Sequence, residues 1–316
     1  MATYLVTGGA GFIGSHIAET LTRNGHEVRV LDNFSTGKQE NLDPFRSECL
    51  LIEGDVRDAD AVEEAVRGVD FVIHQAALAS VPRSIDDPTS SNQVNVQGTL
   101  NLLLAAKKHE IKRFVYASSS SVYGDSETLP KAEEMPPNPK SPYATSKLAG
   151  ELYCRVFADV YGLPTTCLRY FNVFGPRQDP NSQYSAVIPV FVKALLQERP
   201  PTIFGDGEQS RDFTYVENVV SANILACESN NSRGEVYNVA CGDRFSLNWL
   251  YGKLKNIIGV DIEPKFGPPR PGDVKHSQAS VEAIERGLGY KIRVGFDEGL
   301  KRTVDWYKSG RVKFQS

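Results

Sequence analysis

The stretch Thr7-Gly8-Gly9-Ala10-Gly11-Phe12-Ile13-Gly14 restricts this chain more than any other. A short apolar run, 3–7, leads into it. Helical spacing of Phe12, Ile13, Ile17 and Leu21 follows it, and Gly25 marks the stop. A glycine turn between a buried strand and a helix N-terminus lets backbone approach a pyrophosphate, to which the helix offers free N–H groups and a partial positive charge. Gly8, Gly11, Phe12, Ile13 and Gly14 are therefore candidate dinucleotide-binding residues, in a turn expected to need positive backbone dihedrals. A second strand, 27–31, runs into Asp32, 18 residues beyond Gly14. A carboxylate there takes both adenosine ribose hydroxyls and repels a 2′-phosphate. The segment Asp32-Asn33-Phe34-Ser35-Thr36-Gly37 carries no basic residue, which favours NAD over NADP and adds Asn33 as a neighbouring contact.

The pattern continues with strands at 50–53, 71–74, 114–118 and 165–169 and helices at 58–67, 92–109 and 142–161. Strand–helix alternation of this kind predicts an α/β fold, a Rossmann-type doubly wound parallel sheet. After residue 172 prolines crowd the chain and the elements shorten, with helices near 185–197, 216–228, 246–258 and 297–308. The 316 residues suit two domains at roughly 150 each. The expected division is 1–165 for the dinucleotide and 166–316 for a smaller α/β substrate domain, with segments of the latter returning to the sheet. A net charge of −4 argues against a broad basic face for nucleic acid or anionic membrane. No run of about 18 apolar residues exists to span a bilayer. The five cysteines and five histidines show neither disulfide nor metal-ligand spacing, so no metal and a reducing, cytoplasmic setting are expected.

Tyr143 and Lys147 lie one helical turn apart. An ammonium beside a phenol favours the phenolate, so the pair is expected to lower the tyrosine pKa and make a base near neutral pH. Ser118-Ser119-Ser120-Ser121 follows the fifth strand at the carboxyl edge, where ligands bind in such sheets. Any of these four hydroxyls can hold a sugar oxygen while Tyr143 takes its proton.

Further stretches match a known family. They are Gly54-Asp55-Val56, His74-Gln75-Ala76-Ala77, Ser121-Val122-Tyr123-Gly124, Ser141-Pro142-Tyr143-Ala144, Leu168-Arg169-Tyr170-Phe171-Asn172, Gly205-Asp206-Gly207, Arg211-Asp212-Phe213 and Arg270-Pro271-Gly272-Asp273. The chain resembles the extended short-chain dehydrogenases/reductases, and within them the UDP-hexose 4-epimerases. The resemblance implies that Asp55 and Val56 contact the adenine, that Ala76 and Ala77 let the cofactor lie over the sheet, and that Tyr170 packs near the nicotinamide. It implies a UDP-sugar substrate whose diphosphate meets Asn172, Arg211 and Arg270, with Asp273 on the uridine ribose. NAD, restored in each cycle, is expected to stay tightly bound.

Dehydratases and decarboxylases of this family carry an acid just before Val-Tyr-Gly, where this chain has Ser120-Ser121. Simple return of the hydride, hence epimerisation at C4, is the reaction the resemblance implies, with Tyr143 and Lys147 catalytic and Ser119, or Ser121 as second candidate, on the C4 oxygen. Ser277, four residues after Asp273, stands where the family places either a bulky Tyr or a small residue. The serine implies room for a C2 N-acetyl group, and so UDP-GlcNAc and UDP-GalNAc alongside UDP-Glc and UDP-Gal. A UDP-glucuronate 4-epimerase, with Arg83 and Thr145 meeting the C6 carboxylate, is the alternative. A dehydratase or decarboxylase, or a non-enzymatic NAD-binding regulator, ranks below it. The resemblance also implies a homodimer, for which apolar residues on more than one face of helices 92–109 and 142–161, among them Leu148, Leu152, Val156, Phe157 and Val160, offer a four-helix bundle.

Overall fold

The computed structural model describes residues 1–181, 186–229, 233–269 and 275–310. Its first part alternates β1 (Thr3–Thr7), α1 (Phe12–Arg23), β2 (Glu27–Asp32), β3 (Cys49–Glu53), α2 (Ala59–Val66) and β4 (Phe71–His74). Two short helices, α3 (Val81–Asp86) and α4 (Pro88–Asn92), lead through a π-helical turn at Gln93–Gln97 into α5 (Gly98–Lys108). Then come β5 (Arg113–Ser119), α6 (Pro142–Tyr161) and β6 (Thr165–Tyr170). The remainder runs β7 (Val173–Phe174), α7 (Val187–Leu196), β8 (Thr202–Phe204), β9 (Ser210–Arg211), β10 (Thr214–Tyr215), α8 (Val216–Glu228), β11 (Arg233–Val239), β12 (Phe245–Ser246), α9 (Leu247–Ile258), β13 (Lys265–Gly267), α10 (Glu282–Leu288) and α11 (Phe296–Lys308).

Local chemistry sets the ends of these helices. Asp58 caps α2, accepting from the Asp60 N–H at 2.9 Å. Ser141 caps α6 through the Ala144 N–H at 3.1 Å, with Pro142 as the first helical residue. Gly162, in the left-handed region at φ 68°, ends it. The helix expected at 92–109 differs: it begins earlier, at Pro88, and carries the π turn that lets buried Asn95 face the site.

Seven strands form one parallel sheet in the order β11-β6-β5-β4-β1-β2-β3. The order reverses between β1 and β4, so the two crossovers diverge and leave a crevice at the carboxyl edge. Strand alternation sends opposite side chains to two cores. Val6, Val30, Ile73 and Val115 pack with Ile17, Leu21, Val219 and Ala226 of α1 and α8. Leu5, Leu31, Val72 and Phe114 pack with Val62, Leu102, Leu103 and Phe157 of α2, α5 and α6. The sequence pattern missed β11, because Arg233-Gly234-Glu235-Val236 opens with polar and small residues and the apolar run that follows is interrupted by Asn238. Strands β6 and β11 and helix α8 thus come to the sheet from beyond residue 164.

The rest of the second half has its own core of Phe174, Phe191, Val192, Phe213, Tyr215, Leu250, Phe296 and Val304. Phe245 and Phe296 stack there with ring centroids 4.5 Å apart. Asp212, fully buried, ties this unit to the sheet. Its carboxylate accepts from the backbone N–H groups of Cys241 and Gly242 at 3.0 Å and of Ala279 at 3.1 Å. Among the described residues no helix is long and apolar enough to cross a membrane.

Candidate active site

Of the three expected glycines only Gly8 has a positive φ, 67°. The other two answer to space instead. A Cβ on Gly14 would sit 2.1 Å from the Gly8 carbonyl oxygen, and one on Gly11 3.1 Å from it. The expectation of several positive dihedrals is therefore corrected to one. Helix α1 begins at Gly11 with no side-chain cap, which leaves its first N–H groups for a ligand.

These residues open a cleft of about 330 Å³ lined by Gly8, Gly11, Phe12, Ile13, Gly14, Asp32, Asn33, Asp55, Val56, Ala76 and Ala77. Asp32 is held at the end of β2 by the N–H groups of Ala10 at 2.9 Å and Phe34 at 2.8 Å. Burial raises its carboxyl pKa, and those two hydrogen bonds oppose the rise. Asp55 lines the same cleft and already has partners within the chain. Its oxygens accept from Asn33 Nδ2 at 2.7 Å and from Arg57 Nε and Nη2 at 3.0 and 2.7 Å. The guanidinium lowers its pKa to about 2. An adenine amine would share Asp55 with these two partners. An uncapped helix start, a backbone turn that cannot accept a Cβ at Gly8 or Gly14, and a carboxylate at the ribose end suit NAD.

Tyr143 is partly buried at the start of α6, with its hydroxyl in reach of Ser119 at the end of β5. Its own N–H donates to Ser84 Oγ at 3.0 Å, which fixes the start of α6 against α3. Burial pushes the Tyr143 phenol pKa above its usual value, and the Ser119 hydrogen bond pulls the other way. The expected lowering by Lys147 is thus corrected: desolvation of the phenolate wins. Lys147, itself buried, donates to the Ala117 carbonyl at 2.9 Å and stands 6.0 Å from the centroid of the Tyr143 ring. Burial lowers its pKa to about 8, with Glu151 opposing.

The serine run divides its work. Ser119 faces Tyr143, and Ser121 Oγ donates to Ser119 Oγ at 2.9 Å from behind. Ser118 points instead into the interior, where it donates to Glu151. Glu151 is paired through both oxygens with Arg169 of β6, at 2.9 and 2.7 Å. Tyr170, at the end of β6, meets Gln75 at 2.8 Å, and Asn223 of α8 donates to its hydroxyl, also at 2.8 Å. Asn95 bridges Ser146 of α6, at 2.9 Å, and the Leu78 N–H, at 2.8 Å. Sequence reasoning missed Glu151, Asn95, Gln75 and Asn223 as site supports. Only Glu151 left a signal: it sits one turn beyond Lys147 on the face that also carries Tyr143.

A second cavity of about 690 Å³ lies between α7, β8 and β9, lined in part by Asn172, Arg211, Phe213 and Lys193. Asn172, at φ 29°, donates to the Asp212 carbonyl at 2.9 Å and to Ser277 Oγ at 3.3 Å, so it bridges the two segments beside that cavity. Arg211 Nη1 donates to the carbonyls of Ser210, at 2.9 Å, and Lys275, at 3.2 Å. Arg270 and Asp273 lie outside the described residues. Of the alternative pair, Arg83 lines the dinucleotide cleft and Thr145 is exposed on α6. His74 is a satisfied core residue between Thr7 and Thr99, at 2.7 and 2.9 Å.

A doubly wound sheet with an uncapped glycine turn at the carboxyl end of β1 and a Tyr-Lys-Ser group at the carboxyl end of β5 defines a dinucleotide-dependent enzyme that works on a hydroxyl. Residues 4–240 match the NAD dependent epimerase/dehydratase family, and the chain belongs to it. It is 38% identical over 309 residues to the UDP-glucose 4-epimerase of Mycolicibacterium smegmatis, covering 96% of this chain and 98% of the relative. Among solved structures it resembles the UDP-N-acetylglucosamine 4-epimerase of Methanobrevibacter ruminantium M1 in complex with UDP-N-acetylmuramic acid. That match has 44% identity, a TM-score of 0.94 and coverage of 98% of this chain and 99% of the other. It also resembles the UDP-glucose 4-epimerase of Thermotoga maritima with UDP-glucose, at 40% identity and TM-score 0.93, with coverage of 98% and 99%.

Proposed function

We propose that this enzyme, an NAD-dependent UDP-sugar 4-epimerase, interconverts UDP-GlcNAc and UDP-GalNAc and also accepts UDP-Glc and UDP-Gal. The observation that carries the reaction is the grouping of Tyr143 with Ser119 at the end of β5 and with buried Lys147 one turn along α6. Tyr143 takes the C4 hydroxyl proton and later returns it. Ser119, oriented by Ser121, holds the C4 oxygen while it changes from hydroxyl to ketone and back. Lys147, fixed on the Ala117 carbonyl, supplies positive charge to the phenolate and a contact for the nicotinamide ribose. NAD, when tightly bound by Gly8, Gly11, Phe12, Ile13, Gly14, Asp32, Asn33, Asp55, Val56, Ala76, Ala77 and Tyr170, supplies the hydride acceptor and donor at C4. The protein's own share is orientation and electrostatics. Ser120 and Ser121 stand where dehydratases and decarboxylases of the family carry an acid, so elimination of water is poorly supported.

The diphosphate is assigned to Asn172, Arg211 and Arg270, and the uridine ribose to Asp273. The substrate choice rests on Ser277, whose small side chain lies partly buried against Asn172. The test compares UDP-GlcNAc, UDP-Glc and UDP-glucuronate in one assay with the wild type and Ser277→Tyr. Ser277→Tyr is expected to lose UDP-GlcNAc turnover by at least about tenfold while retaining UDP-Glc, because a bulky ring takes the N-acetyl space. A wild type that turns over UDP-Glc or UDP-glucuronate but leaves UDP-GlcNAc untouched contradicts the assignment.

The proposal includes a homodimer. Leu104 of α5 and Leu152, Val156, Val160 and Tyr161 of α6 are exposed and support it, whereas Phe157, counted with them from the sequence, is buried in the core. Light scattering that gives a monomer mass contradicts it.

A further inference from the structure

We propose that Glu151 is the positioning residue of this site: it ties the end of β5 to α6 through Ser118 and holds Lys147 in its ammonium form. The inference rests on the epimerase reading above. Tyr143, Lys147 and Glu151 follow one another at single-turn spacing on the buried face of α6. Lys147 and Glu151 are each 4% exposed, so neither charge is relieved by water.

The groups facing Lys147 narrow the source of its stabilisation. From α6 come Tyr143 and Glu151. From β5 come the Ala117 carbonyl and Tyr116, whose ring centroid is 5.2 Å away. From β4 comes His74, held neutral by a pKa lowered to about 3. Burial pushes both phenols upward, so Tyr116 stays neutral and Tyr143 carries charge only as the working base. Glu151 is the negative charge in this set, and it opposes the loss of the Lys147 proton that burial promotes. Arg169, from β6, is the pair of Glu151 and lies over the Tyr123 ring at 4.7 Å.

The same carboxylate also fixes geometry. Ser118 donates to Glu151 Oε1, the oxygen that also accepts from Arg169 Nε. Ser118 stands between Ala117, whose carbonyl takes the Lys147 proton donor, and Ser119, which meets the Tyr143 hydroxyl. One buried carboxylate therefore sets the strand end that presents both partners of the catalytic pair.

The experiment is the pH profile of kcat for the holoenzyme between pH 6 and 9.5, wild type against Glu151→Gln. Gln keeps the size of the side chain and an acceptor for Ser118 but removes the charge. The expected result is an alkaline limb displaced downward by about one pH unit, so that the loss at pH 8.5 approaches tenfold while that at pH 6.5 stays within about threefold. Glu151→Gln leaves Arg169 buried without its carboxylate, so the double variant Glu151→Gln/Arg169→Gln, which removes both charges, serves as the second measurement. The same displacement is expected there. An unmoved alkaline limb in either folded variant, with only a lower melting temperature, overturns the proposal and leaves Glu151 a purely structural partner of Arg169. Absence of turnover in the wild type would instead contradict the epimerase reading, so the two failures are distinct.

Discussion

A Tyr143→Phe variant is expected to lose about 10²–10⁴-fold in kcat at neutral pH while keeping its bound NAD and its melting temperature. The magnitude follows from removing the general base and acid together, since one hydroxyl serves both halves of the cycle. The selectivity follows from the packing. The Tyr143 backbone N–H stays on Ser84 Oγ, Ser141 still caps α6, and the ring remains beside Lys147. Only the hydroxyl contact with Ser119 is lost. Product formation from UDP-GlcNAc, together with NAD released on denaturation, reads both sides. Turnover near that of the wild type contradicts the mechanism.

Gly14→Ala is expected to be as damaging through a different route. The new Cβ would lie 2.1 Å from the Gly8 oxygen, 2.8 Å from its carbonyl carbon and 2.9 Å from Gly9 Cα, all of them backbone. Gly8 cannot yield. Its N–H is bonded to the Leu31 carbonyl at 2.8 Å, its oxygen accepts from Gly11 N at 3.0 Å, and a Cβ at its own position would already meet Ala76 N at 2.7 Å. The turn must open by more than an ångström, and the α1 N–H groups then leave the pyrophosphate position. Overpacking of this kind costs about 1–3 kcal/mol of stability. The variant is expected to purify without NAD and to melt at lower temperature. Normal NAD content would show that the turn accommodates a side chain.

What was legible in the sequence was local. The glycine turn, Asp32 and the Tyr143–Lys147 step are set by spacings of a few residues or by one strand–helix unit, and such spacings carry their geometry with them. The supports were not legible because they are made by residues distant in sequence. Gln75 reaches Asn223 across 148 positions, Ala279 reaches Asp212 across 67, and Arg169 reaches Glu151 across 18. A charge on the buried face of a helix, as at Glu151, is the kind of sequence anomaly that points to such a partner. The Tyr143 expectation failed for a related reason: spacing shows that a lysine is near but not how far both groups are desolvated. β11 escaped because strand membership there depends on β6 beside it rather than on its own apolar pattern.

The central claim is that hydrogen leaves C4 and returns to the same carbon within one closed site. UDP-GlcNAc carrying deuterium at C4, incubated with the holoenzyme in ordinary water and followed by NMR, tests it most directly. The expected product is UDP-GalNAc that retains its deuterium at C4. Deuterium lost to solvent, or a dehydrated 4-keto-6-deoxy sugar as product, would contradict it.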